Sequence, residues 1–207
     1  YYVNAEPHIG HAYTTIAGDI LAKFWRKQGK EVFFLTGTDE HGKKIAQSAQ
    51  KLKIPVEKFV EKIALKFQKT WQNLLIEPDF FIRTTDPQHE RFVQNFLQKL
   101  KKKGFLYQAD YEGYYCVACE EFKTAAESKK GICPIHKTKL EKVREKSWFF
   151  ALSKFADFLK KHIKEHPEFI QPEERRNEVL GIINSGLQDI SISRKGGDWG
   201  IPFPGIE

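Results

Sequence analysis

This 207-residue chain contains no methionine, only three cysteines, and no apolar run near the ~18 residues that a bilayer-spanning helix needs. The cysteine count is odd and two of the three sit in a C-x-x-C. That argues against a disulfide framework and for a reduced, intracellular setting, with the cytoplasm as the expectation. Without methionine the chain does not begin at an initiator residue. It reads as a trimmed or partial chain in which any upstream targeting peptide is invisible. Acidic excess is lacking too: 34 Lys+Arg against 27 Asp+Glu leave a net charge of +7. Such a balance fits anionic partners, nucleotides or nucleic acid, although a solvated basic surface accounts for it equally well. The hydrophobic share of 41%, with charges interspersed, is that of a globular protein and not a disordered tail.

What is present starts almost at the first residue, with Tyr1-Tyr2-Val3-Asn4 and then Pro7-His8-Ile9-Gly10-His11. Gly10 has no Cβ, so a ligand can lie against the backbone there. His8 and His11 can donate to anionic oxygens beside the positive end of a helix that starts immediately afterwards. This combination suits a triphosphate and points to ATP. Half of a metal site is the competing reading, with only Asp39 or His41 in sequence reach as further ligands.

The periodicity predicts a helix from Gly10 to Gly29 with Ile16, Ile20, Leu21, Phe24 and Trp25 on its apolar face. A strand follows over Glu31 to Thr36, then the polar loop Gly37-Thr38-Asp39-Glu40-His41-Gly42 and a further helix. Asp39 lies just past a strand's carboxyl end, where ligands bind in α/β sheets. Pro55 opens a long amphipathic helix, Asp79 to Arg83 reads as a strand, and Asp86-Pro87 caps a helix ending near Gly104 in a run of lysines. Beyond Gly104 short tyrosine-rich strands are expected, then a strand at Trp148-Phe149-Phe150, a helix capped by Ser153, another opened by Pro172, and a strand over Asp189 to Arg194. The expected class is α/β.

Cys116-Val117-Ala118-Cys119 and Cys133-Pro134-Ile135-His136 form C-x2-C, a gap of 13 residues and C-x2-H. Two short knuckles of thiolate and imidazole supply the four soft ligands that tetrahedral zinc prefers. With four ligands filled, no position is left open, so a structural and not a catalytic ion is expected.

Taken in order, these segments resemble the class I aminoacyl-tRNA synthetases and, more narrowly, the methionyl-tRNA synthetases of the bacterial type. The histidine motif looks like the family's first signature, Thr36 to Gly42 like its second substrate loop, and the knuckle like its zinc-binding connective insertion. Ile192-Ser193-Arg194 with Trp199-Gly200-Ile201-Pro202 is similar to the return segment after that insertion. The Thr-Asp-Glu-His-Gly loop and the small insertion separate it from the leucine, isoleucine and valine enzymes.

The resemblance implies the first half of a Rossmann-like catalytic domain over 1–104, the insertion over 105–195 with its knuckle at about 112–143, and the start of the return over 196–207. It implies activation of methionine by ATP and transfer to tRNA(Met), with His8, Gly10 and His11 at the phosphates and adenine. Tyr2, Asn4 and Asp39 would hold the thioether, ATP and the substrate ammonium, with Mg²⁺ accompanying ATP. The family's lysine-rich second signature is not found in these residues, which implies a partial catalytic domain, weak or inactive alone, with the remaining half of the synthetase as partner. A non-catalytic zinc-knuckle RNA-binding module and another H-x-G-H nucleotidyltransferase are the alternatives.

Overall fold

A computed structural model of the chain describes residues 1–119, 121–123, 131–193 and 199–204. Helix α1 spans Ile9–Lys27 and stops where Gly29 takes a left-handed φ of 74°. Strand β1 covers Leu35–Thr38 and pairs in parallel with β2, Phe80–Arg83, from Leu35↔Phe80 to Thr38↔Arg83. The strand expected over 31–36 therefore begins later. Up to Phe34 the chain is engaged by Asp79, whose carboxylate accepts the Phe34 N–H at 2.5 Å. Gly37 is what lets the two strands meet: a Cβ there would lie 2.0 Å from the Ile82 carbonyl oxygen.

Helices α2 (Lys43–Lys51) and α3 (Val56–Asn73) form the crossover between β1 and β2. On α3, Phe59, Ile63, Phe67 and Trp71 repeat every fourth residue, so they stack into one ridge. That ridge carries the core, packed with Val3, Ile45 and Ile76. Burying each large side chain contributes roughly 2–3 kcal/mol. The apolar stripe expected to bury α1 does not: Ile16, Ile20, Leu21, Phe24 and Trp25 are exposed, and α1 faces the core with Thr15, Asp19 and Ala22. Asp19 is held there because it accepts the Glu77 N–H and pairs with Lys23.

Helix α4 (Pro87–Lys102) starts at Asp86, but the Asp86 side chain accepts from the Arg83 N–H (2.9 Å) and does not cap the helix. The tyrosine-rich stretch is one long strand, β3 (Leu106–Cys116), paired antiparallel with β5 (Glu141–Phe150). Short strands β4 (Glu121–Lys123) and β6 (Ile190–Ser191) complete a sheet of order β4-β3-β5-β6. Ser153 lies in a 3-10 turn before α5 (Ala156–Glu165) and is not its cap; its N–H donates to Asp189. Helix α6 spans Glu173–Asn184, and Gly186 follows it with a φ of 96°. Of the strand expected over 189–194 only β6 forms, and Arg194 lies outside the described residues. No described helix is long and apolar enough to cross a membrane.

Candidate functional site

Residues 1–3 run alongside β1. The Tyr1 N–H group donates to Gly37 O (3.1 Å), the Asp39 N–H donates to Tyr1 O (2.8 Å), and Tyr2 and Asp39 form a parallel bridge. Opposed residues in a parallel pair project to the same face. Two of the residues expected at the substrate, Tyr2 and Asp39, are thus neighbours at a strand's carboxyl end. Asn4 sits in the turn that leads from this bridge to α1.

Tyr1 carries the link to the histidines. Its ring stacks on Phe67 and lies 4.8 Å from His11, and its hydroxyl meets His11 O, Thr14 and Thr15. Sequence reasoning gave Tyr1 no role, although it heads the very motif singled out.

His8 is the N-cap of α1, an unusual residue for that position. Its Nδ1 accepts the Gly10 N–H (3.1 Å), while His11 Nδ1 accepts the His8 N–H (3.2 Å). Each ring thus uses Nδ1 as an acceptor, so the neutral form of each carries its proton on Nε2. The rings stack at 3.7 Å, and among the described residues neither Nε2 has a hydrogen-bond partner. Burial, then the charge of His8, pushes His11 below the ordinary histidine value, which favours its neutral form. The helix amides expected to serve a phosphate are partly engaged already, Gly10 N–H by the His8 ring and His11 N–H by His8 O. Gly10 matters for a reason beyond ligand access: a Cβ there would sit 3.0 Å from the His8 ring and displace it.

Asp39 accepts no hydrogen bond among the described residues. Glu40 beside it is fully buried, and its carboxylate accepts from Arg83 Nε (2.7 Å), Arg83 Nη2 (2.9 Å), Thr38 Oγ1 (2.7 Å) and Thr85 Oγ1 (2.5 Å). Burial alone would raise the Glu40 carboxyl, but these donors together hold it below the ordinary carboxylate range. His41 is pushed down chiefly by burial, against the pull of Glu90, Asp39 and Glu40, and its ring lies 5.4 Å from Trp199. Trp199 in turn donates its indole N–H to Glu40 O and accepts the Gly42 N–H. Trp199, from the segment likened to the family's return, therefore closes on the loop that carries Asp39. Glu40 and Arg83 were not singled out from sequence; the only available signal was a second carboxylate next to Asp39.

At the other end, the ligand atoms of Cys116, Cys119, Cys133 and His136 all lie within 4.8 Å of one another. Cys119 Sγ is 3.5 Å from Cys133 Sγ and 3.1 Å from His136 Nδ1. Tetrahedral zinc with Zn–S bonds of about 2.3 Å separates its sulfurs by about 3.8 Å, so the spacing fits. Backbone N–H groups of Cys119 and His136 donate to Cys116 Sγ and Cys133 Sγ, each three residues back. Although burial opposes it, the backbone N–H groups of His136 and Ile135 draw Cys133 down to about 6, whereas burial and its thiol neighbours push Cys119 up to about 11. Among the described residues, His8 and His11 gather no third metal-ligating side chain.

A family model described as tRNA synthetases class I (M) matches residues 1–142 and 131–207. The chain belongs to that family. The methionine–tRNA ligase of Thermotoga maritima is 48% identical over 98% of this chain and 33% of its own length. That of Thermosynechococcus vestitus is 50% identical over 99% of this chain and 39% of its own length. Among solved structures, Mycobacterium tuberculosis methionyl-tRNA synthetase in complex with methionyl-adenylate superposes with a TM-score of 0.93 at 39% identity, covering 99% of this chain and 41% of that one. The free-state structure of the same enzyme gives 0.76 at 35% identity. The chain thus spans about a third to two-fifths of the relatives it matches, and its fold is that of a class I synthetase's N-terminal region.

Proposed function

We propose that this chain is the first part of the catalytic domain of a methionine–tRNA ligase, and that the activity belongs to the longer protein of which relatives of this family consist. The observation that carries the reading is the juxtaposition of an open carboxylate, Asp39, with two Nε2–H donors at the start of α1, joined through Tyr1. In this reading residues 1–104 form the first half of the Rossmann-like domain, 105–195 the insertion with its knuckle at about 112–143, and 196–207 the return.

Methionine's carboxylate oxygen attacks the α-phosphorus of ATP, forming a bond to it as the bond from that phosphorus to the bridging oxygen breaks and pyrophosphate leaves; a ribose hydroxyl of the terminal adenosine of tRNA(Met) then attacks the methionyl carbonyl carbon, and AMP leaves. The nucleophile is already ionised, so the protein needs no general base for the first step. It aligns the two reactants and stabilises charge as it develops on phosphate oxygens. His8 and His11 do the latter as hydrogen-bond donors through their Nε2 atoms. Gly10 leaves room for adenine as well as for the His8 ring. Asp39 pairs with the substrate ammonium, Tyr2 lines the thioether pocket, and Asn4 helps orient ATP. Mg²⁺ accompanies the phosphates. Zinc on Cys116, Cys119, Cys133 and His136 supplies structure and not chemistry. The setting is cytoplasmic, and the remaining half of the synthetase completes the site.

ATP–pyrophosphate exchange on the full-length protein with each amino acid tests this. Exchange that depends on methionine is expected; exchange that depends on leucine overturns the specificity. In the same assay His8→Ala lowers the adenylation rate about 100-fold or more while methionine affinity changes little. Equal losses in both would remove His8 from the phosphates.

A further inference from the structure

The two adjacent carboxylates of the substrate loop are treated very differently. The Asp39 carboxylate accepts no hydrogen bond among the described residues, whereas each Glu40 carboxylate oxygen accepts two, from three residues on two pieces of chain. Thr38 lies at the end of β1, Arg83 at the end of β2, and Thr85 just beyond it. The backbone around Glu40 is tied as firmly. Its N–H donates to Thr84 Oγ1 (2.8 Å), its carbonyl accepts the Trp199 indole, and the Thr84 N–H donates to Thr38 O (3.2 Å). On the other side of Asp39, the Tyr1 carbonyl holds its N–H. Asp39 is therefore gripped on both flanks, while its own carboxylate accepts no hydrogen bond among the described residues.

We propose that Glu40 and Arg83 are positioning residues for amino-acid recognition: their buried bidentate pair fixes the direction of the Asp39 carboxylate toward the substrate ammonium. The charge arithmetic supports this. Arg83 neutralises Glu40, so of these two adjacent carboxylates only Asp39 keeps a charge that is not paired among the described residues. Bidentate guanidinium–carboxylate geometry also fixes orientation in a way that a point charge does not. The inference rests on the reading of Asp39 as the ammonium ligand.

The test uses the full-length enzyme with Glu40→Gln, Arg83→Met, the double variant, and the milder Thr85→Val in case the first two fail to fold. In pyrophosphate exchange, the single variants are expected to raise KM for methionine at least tenfold, with KM for ATP and kcat within about threefold. Thr85→Val is expected to raise it about threefold. The double variant, which leaves no unpaired buried charge, is expected to bind methionine better than either single variant. Inhibition by the desamino analogue, 4-(methylthio)butanoate, should be unchanged throughout, because it has no ammonium to misplace. Parallel rises in KM for methionine and ATP, or equal weakening of methionine and the desamino analogue, overturn the proposal in favour of a general structural role. If the parent enzyme exchanges with a different amino acid, the functional reading fails, and the same comparison with that amino acid and its desamino analogue still decides the role of Glu40.

Discussion

Among the described residues, nine buried side chains make the apolar cluster beneath the crevice, Phe67 and Trp71 among them; three make the cluster beneath the knuckle, and two of those are cysteine. The crevice is organised by ordinary folding forces. A ridge on α3, a parallel ladder and the Glu40–Arg83 pair hold Tyr1, His11 and Asp39 in place. Among its described residues the knuckle has Leu140 as its one buried aliphatic side chain, and its four ligands converge on one point instead. A segment that cannot bury enough apolar surface needs another source of free energy, and a bound metal is one. In one chain, then, the residues proposed to hold substrate are placed by packing, whereas the knuckle would be placed by the metal that its four ligands could hold.

The largest expected effect breaks the knuckle alone. Cys133→Ser, or removal of metal by a chelator, forfeits most of a binding free energy on the order of 10 kcal/mol. Hydrogen exchange should show lost protection around Cys116 and Leu140 while the α3 amides stay protected. Equal loss in α3 would erase the distinction between the regions. Next comes the crevice. Arg83→Met leaves Glu40 buried without its main donor, at a cost of about 3 kcal/mol near neutral pH. Because the folded-state pKa of Glu40 is depressed, its contribution to stability is present above the unfolded value and lost as pH falls through the folded one. Removing Arg83 lets burial dominate, so acid unfolding should begin at a higher pH. An unshifted acid limb in urea melts across pH would deny Arg83 that role. Gly37→Ala follows, at about 2 kcal/mol, since its Cβ would meet the Ile82 carbonyl and push β1 from β2. A thermal melt measures it, and a neutral outcome would show the two strands separating without cost.

The same contrast governs what could be read from the residues. The knuckle was fully legible, because ligand chemistry and spacing are local in sequence. So were the α3 ridge, whose period of four is uninterrupted, and the helix stops at Gly29 and Gly186. The α1 stripe misled. Its apolar residues do share a face, but the side that meets the core carries Thr15 and Asp19, whose hydrogen bonds let them be buried, and periodicity is blind to such partners. The start of β1 was misplaced because Asp79, some 45 residues away, claims the Phe34 N–H. The work of Glu40 was invisible for the same reason: all its side-chain donors except Thr38 come from beyond the crossover, in Arg83 and Thr85. Local chemistry was readable, and long-range polar pairing was not.

One contact joins the two regions directly. Lys43, at the start of α2 and two residues past His41, meets Glu141 at 2.6 Å, and Glu141 follows Leu140 at the base of the knuckle. Its position invites the idea that knuckle and substrate loop act as one unit. The environment argues otherwise: both side chains are about half exposed, 48% and 46%, and exposed pairs of this kind contribute about 0–1 kcal/mol, less as salt rises. Lys43→Ala should therefore lower the melting temperature by a degree or two at most and leave KM for methionine within twofold. The loop is held from within, by Tyr1, Glu40 and Trp199, and does not depend on this strut. A tenfold rise in KM for methionine in Lys43→Ala, abolished by high salt in the parent enzyme, would instead make the ion pair the coupling between the regions and undo their independence.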